Sequence, residues 1–207
     1  MKRTIYFMRH SEVLKGINHE FNGDCLQLVN EKNILSSNGE ELARKASLLD
    51  EFNDLDIVVS SNYVRAMATA KYFVEKNNCD FVVCDLFRER KHGVKSWDEL
   101  PEDFERKQFL DMDFKVGDGE SLNEVKERML QGLSLLLDQT SFKKILVVGH
   151  GTAIASLLSN WCNIVYGGEY SFKGKVFFNR RWNYLECFKF EFDGDELINV
   201  ENLNVYE

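Results

Sequence analysis

Five side chains suited to handling a phosphoryl group stand at or just beyond the ends of short apolar runs. Arg9 and His10 follow "TIYFM", Arg65 follows "DIVVS", Glu89 comes a few residues after "FVVC", and His150 follows "KILVVG". A neutral imidazole nitrogen is a good nucleophile toward phosphorus, and a covalent intermediate divides one hard hydrolysis into two easier displacements. Arginines and a second imidazole can bind the transferring oxygens, and losing one such donor typically costs ~2.7–4 kcal/mol in the transition state. A carboxyl group can protonate the departing oxygen and then take a proton from water. This chemistry asks for a neutral His10 and a cationic His150, whose pKa a bound dianion would raise; repulsion from the same dianion favours the protonated form of Glu89. Taken singly, an arginine after a strand is a surface charge and a histidine a packing residue. Recurrence at four strand ends is what makes them a set.

Those ends matter because of the elements that produce them. The four runs read as buried strands, and helical patterns alternate with them. Ser37 and Glu40 have capping-box spacing ahead of Leu42, Ala46 and Leu49, and Ser121 and Glu124 repeat it ahead of Leu122, Val125, Met129, Leu133 and Leu136. A third helix is expected to begin near Ser61 and carry Val64, Met67, Ala70 and Val74. A fourth follows Gly151, with Ile154, Leu157, Leu158 and Trp161. Phe188, Phe190 and Phe192 alternate with Lys189 and Glu191 before "DGD", the pattern of an antiparallel hairpin. Strands alternating with helices imply an α/β fold, a largely parallel sheet covered on both faces. Ligands of such sheets bind beyond the carboxyl ends of the strands, and helices starting after Ser61 and Gly151 could offer N–H groups to the same anion.

Composition narrows the alternatives. The 207 residues are 44% hydrophobic and 13% aromatic, enough for a sizeable core, with no repeat, no low-complexity tract and a single proline, Pro101. One domain over 1–207 is expected. A formal net charge of -8 argues against a nucleic-acid-coating surface, while a small anion remains a fitting ligand for a local cluster of cations. The five scattered cysteines, Cys25, Cys79, Cys84, Cys162 and Cys187, contain no Cys-x-x-Cys pair and read as reduced thiols. The apolar run near the start is too short for a signal core, and no stretch reaches membrane-spanning length, so a cytoplasmic protein without a membrane partner is expected. His19 and His92 lack a carboxylate or cysteine at metal-ligand spacing, so no zinc site is expected.

Five segments, in order, resemble the motifs of the histidine phosphatase superfamily, the phosphoglycerate-mutase-like proteins: "MRHSE", "SSNYVRAMATA", "LFRERKHG", "GESLNEVKERM" and "VVGHGTAI". The resemblance implies a three-layer α/β/α sandwich and a phosphohistidine on His10. It places Arg9, Arg65 and His150 around the phosphoryl group, Gly151 beside it, and Glu89 as the proton donor, with no required metal or other cofactor. Two positions depart from the family pattern. Ser11 stands where glycine is usual, so that its hydroxyl could narrow the pocket or add a hydrogen bond. The Thr-x-x-Asn spacing is absent, leaving Asn18 either as a shifted substrate contact or as a polar loop residue.

The segment 96–121 reads either as a cap offering Trp97, Phe104, Phe109 and Phe114 to a leaving group or as a solvated excursion anchored by those rings. Arg180 and Arg181 could meet a second substrate anion or form a basic surface pair. The favoured function is a phosphatase acting on a small phosphomonoester, because the cap looks too short to shield an intermediate from water. A cofactor-dependent phosphoglycerate mutase and a catalytically weak phospho-ligand binding protein are the other readings. Neither the leaving group nor the oligomeric state can be read from the sequence.

Overall fold

A computed structural model of the chain describes residues 1–16, 25–139, 141–203 and 205. Asn18 and His19 lie outside the described residues.

The apolar runs form a six-stranded sheet in the order β3-β2-β4-β1-β8-β9. Its strands are β1 (Lys2–Arg9), β2 (Ile57–Ser60), β3 (Asp80–Val83), β4 (Lys144–Gly149), β8 (Cys187–Asp193) and β9 (Glu196–Leu203). The first four strands in the sheet are mutually parallel; β8 and β9 form the expected hairpin, with β8 antiparallel to β1 and β9 antiparallel to β8. Alternation along β1 divides the core. Ile5 and Phe7 face one apolar cluster, while Tyr6 and Met8 face the other. The first cluster packs against α5 (Leu122–Asp138) and α6 (Gly151–Leu158), and the second against α2 (Ser37–Ser47) and α3 (Val64–Asn77). Helices on both faces make the three-layer α/β/α sandwich.

Local chemistry explains the helix starts. At α5 the capping box is complete: Ser121 Oγ accepts from Glu124 N at 3.1 Å, and the Glu124 carboxylate accepts from Ser121 N at 2.9 Å. At α2 the expected cap moves by one residue, since Ser36 and not Ser37 accepts from Gly39 N at 2.9 Å. Glu40 is then one position too far along to close a box, and its carboxylate instead binds Tyr72 and Lys71 on α3. α3 begins at Val64 rather than near Ser61, and α6 ends before Trp161.

The run "FVVC" was expected to be buried, but β3 is an edge strand and Phe81, Val82 and Val83 are exposed. Within 96–121 lie a short turn of helix at Trp97–Glu99 and the helix α4 (Phe104–Leu110). A second element over the carboxyl edge had no clear sequence pattern: the three-stranded sheet of β5 (Asn163–Ile164), β6 (Tyr170–Phe172) and β7 (Lys175–Phe178). The remaining helix, α1 (Leu26–Lys32), packs near α3. All five cysteines are free thiols.

Candidate active site

Strand register brings the two central histidines together. Arg9 pairs with Gly149 across β1 and β4, so the next residue of each strand, His10 and His150, become neighbours, with ring centroids 5.3 Å apart. His10 N donates to Gly149 O at 2.9 Å, which continues the ladder one step past the strand. Ser60 pairs with Val148, and this places Ser61 beside His150.

The His10 ring is buried, and its Nδ1 donates to the Ser11 carbonyl at 2.7 Å, which sets the tautomer and leaves Nε2 as the unprotonated nitrogen. Burial, reinforced by the positive fields of Arg65 and Arg9, holds its pKa well below the ordinary histidine range. His10 is therefore a neutral base at neutral pH. Arg9 is held by backbone oxygens, with Nη1 donating to Trp182 O at 3.1 Å and Asn183 O at 3.3 Å, while its guanidinium lies 5.0 Å from the Tyr184 ring. Arg65, one residue into α3, donates to Asn30 O and, through Nη2, to His150 Nδ1 at 3.1 Å. Burial pulls the Arg65 pKa down to about 10, and the carboxylate of Glu89 opposes that shift. It remains charged at neutral pH.

The cation expected of His150 is one that a bound dianion would induce; the protein groups around the ring by themselves favour its neutral form. Its Nδ1 accepts from Arg65, so the proton sits on Nε2 and is donated to Ser61 Oγ, at 2.7 Å. The ring is completely buried, and burial together with the Arg65 charge keeps its pKa well below the ordinary value. The structure thus makes His150 a neutral brace behind Arg65. Ser61 falls within the quoted "SSNYVRA" segment, but nothing local marks its hydroxyl as the partner of a residue on another strand.

Ser11 departs from the pocket contact expected of it. It is fully buried, its Oγ donates to Gly39 O at 2.7 Å, and its N donates to Thr69 Oγ1 at 3.0 Å. Both polar groups therefore fasten the segment after His10 to α2 and α3, away from the cavity. Thr69 Oγ1 also donates to Arg65 O at 2.8 Å, so one side chain ties His10's neighbour to the helix that carries Arg65.

A cavity of about 450 Å³ opens at this edge and is lined by Arg9, His10, Arg65, Glu89 and, from the start of α6, Gly151 and Thr152. The segment carrying Glu89 is clamped from behind. Arg128 Nη1 donates to Leu86 O at 2.8 Å and Arg88 O at 2.9 Å, while Glu120 accepts from Arg88, Arg128 and Lys91 N. Trp97 and Phe109 line the cavity as expected of a cap, and Tyr166 and Tyr170 join them from the small sheet. Phe104 and Phe114 do not; they pack on one another within the 96–121 segment. Arg180 and Arg181 are also outside the lining, and Arg180 pairs with Glu186 at 3.0 Å. Among the described residues there is no cluster of His, Cys, Asp and Glu suited to hold a metal ion, and no helix is long and apolar enough to cross a membrane.

The family model of the histidine phosphatase superfamily (branch 1) matches residues 5–190. The chain belongs to this superfamily. Among curated relatives, a probable phosphoglycerate mutase GpmB of Cronobacter sakazakii is 27% identical over 162 residues, covering 75% of this chain and 73% of that protein. An uncharacterized phosphatase PhoE of Bacillus subtilis is 31% identical over 135 residues, covering 65% of this chain and 66% of that one. Among solved structures, a mycobacterial glucosyl-3-phosphoglycerate phosphatase superposes with a TM-score of 0.69 at 17% identity, over 92% of this chain and 91% of that one. At that identity the likeness supports the fold, and it agrees with the family: a mostly parallel sheet between two helical layers, with the family's motif residues gathered at its carboxyl edge.

Proposed function

We propose that this histidine phosphatase superfamily member hydrolyses small phosphomonoesters through a phosphohistidine on His10. The observation that carries the reading is the state of His10: buried, neutral and pinned through Nδ1, with two guanidinium groups beside it. Nε2 attacks phosphorus as the ester P–O bond breaks, and Glu89 gives its proton to the departing oxygen. Arg9, Arg65 and the backbone N–H groups at the start of α6 hold the equatorial oxygens. Water then attacks the phosphorus, Glu89 takes its proton, the N–P bond breaks, and phosphate leaves with His10 regenerated. His150 acts through Arg65, keeping its guanidinium aimed at the phosphoryl group.

A phosphoglycerate mutase would use the same groups but must hold a bisphosphate, and so needs cations at both ends of the cavity. Among the described lining residues the cations are Arg9, Arg65 and Arg90, and Arg90 is already paired with Glu105 at 3.0 Å. That distribution favours hydrolysis. The weak-binding reading was motivated by Ser11, whose side chain turns away to Gly39. His10→Ala is expected to abolish p-nitrophenyl phosphate hydrolysis and the acid-labile phosphoenzyme; retained turnover would refute the nucleophile. Glu89→Gln should lower kcat/KM, which reads the step that forms the phosphoenzyme, far more for alkyl phosphates than for p-nitrophenyl phosphate, whose leaving group needs no proton. Equal losses would remove Glu89 from the acid role.

A further inference from the structure

We infer that the outer half of the cavity is a charge-neutral, ring-binding subsite, which selects phosphomonoesters whose leaving group has a flat apolar face and no second anionic group. The inference deepens the hydrolase reading and rests on it. If Glu89 meets the departing oxygen, the leaving group lies on the side of the cavity where the chain continues into Arg90 and His92.

Two observations define that side. The first is aromatic surface. Trp97 is 60% exposed and Tyr166 is 46% exposed, yet both line the cavity, and they come from segments far apart along the chain. Each is backed by another ring, with His92 meeting Trp97 edge-on at 4.9 Å between centroids and Phe109 lying 5.2 Å from Tyr166. Such supported but open rings offer apolar faces on which a flat group can pack.

The second observation is charge. Arg90 is buried and both its terminal nitrogens are engaged: Nη1 donates to Gln108 at 2.5 Å and Nη2 to Glu105 at 3.0 Å, the guanidinium carbon lies 5.0 Å from the Phe104 ring centroid, and Nε alone has no hydrogen-bond partner among the described residues. Glu105 itself lines the cavity, so a second carboxylate or phosphate arriving here would have to displace it from Arg90 and then face both Glu105 and Glu89. A neutral ring meets no such opposition.

The test compares esters with matched alkoxide leaving groups, so that chemistry does not mask recognition. The wild-type protein should hydrolyse 3-phenylpropyl phosphate with kcat/KM about tenfold above that for propyl phosphate, the order expected for one added aromatic contact. Trp97→Ala and Tyr166→Ala should each reduce that ratio severalfold. Glu105→Gln, which uncovers the Arg90 charge, should raise kcat/KM for 3-phosphoglycerate relative to propyl phosphate by about tenfold. A wild-type ratio near one, or ratios unmoved by all three substitutions, would overturn the subsite even if hydrolysis is robust. Absence of hydrolysis with every ester would instead sink the hydrolase reading. Binding of 3-phenylpropylphosphonate against propylphosphonate then decides the subsite, with equal affinities overturning it and tighter binding of the ring supporting it.

Discussion

His92 offers a quantitative test of the electrostatics around the site. Its ring is buried against Trp97 and Phe104 and lies close to Arg90. Burial first, and the Arg90 charge second, push its pKa down from 6.5 to about 4. Above pH 6.5 the imidazole is neutral in both the folded and the unfolded chain and contributes no pH dependence. Between 6.5 and 4 the unfolded chain binds a proton that the folded protein refuses, so stability falls by up to about 1.4 kcal/mol per pH unit. Below pH 4 both states carry the proton and the loss stops, having reached about 3 kcal/mol. His92→Phe keeps a ring in the same packing but removes the titration. The difference in unfolding free energy between variant and wild type should therefore be constant above pH 7 and shift by about 3 kcal/mol in the variant's favour by pH 4. Urea titrations at pH 7.5, 5.5 and 4 would measure it. His10 and His150 titrate in the same direction but are common to both proteins and cancel. Parallel pH dependences for the two proteins would refute the argument that His92 is kept neutral by its surroundings.

Two further substitutions probe the supports of the site. Arg128→Met removes the donor to the Leu86 and Arg88 carbonyls and one of the two cations on the partly buried Glu120, which keeps Arg88 and Lys91 N, so a destabilisation of about 1.5–3 kcal/mol is expected by denaturant unfolding. Because it also loosens the segment that aims Glu89, turnover of alkyl phosphates should fall more than that of p-nitrophenyl phosphate, whereas a uniform loss would assign Arg128 to stability alone. Gly39→Ala would set a methyl group 2.1 Å from the Glu12 carbonyl oxygen, which is backbone and cannot rotate aside. Despite alanine's better helix propensity, a destabilisation of about 1–3 kcal/mol is expected by denaturant unfolding, and a stabilised variant would contradict the close approach of α2 to the segment after His10.

Much of the site was legible because strand ends are legible. Short continuous apolar runs bounded by polar residues mark where β1, β2 and β4 stop, and the parallel sheet sends those ends to one edge, carrying Arg9, His10, Arg65 and His150 with them. The cap of α5 was readable for the same reason, since Ser121 and Glu124 interact across one turn. The cap of α2 was misplaced by one residue because only Ser37 has the Ser-x-x-Glu spacing, whereas the path of the chain makes Ser36 the cap. The exposure of β3 could not be read from "FVVC" either, since whether a strand lies at an edge depends on what fails to pair beyond it.

The sequence by itself determined which residues end the strands, hence the family and the inventory of reactive groups, because side-chain alternation and turn chemistry act over a few residues. Tertiary structure alone decided the protonation of His150, the diversion of Ser11 to Gly39, and the meeting of Trp97 with Tyr166 around one cavity. Burial and electrostatic fields are set by neighbours far away along the chain, and no local pattern encodes which neighbours those will be.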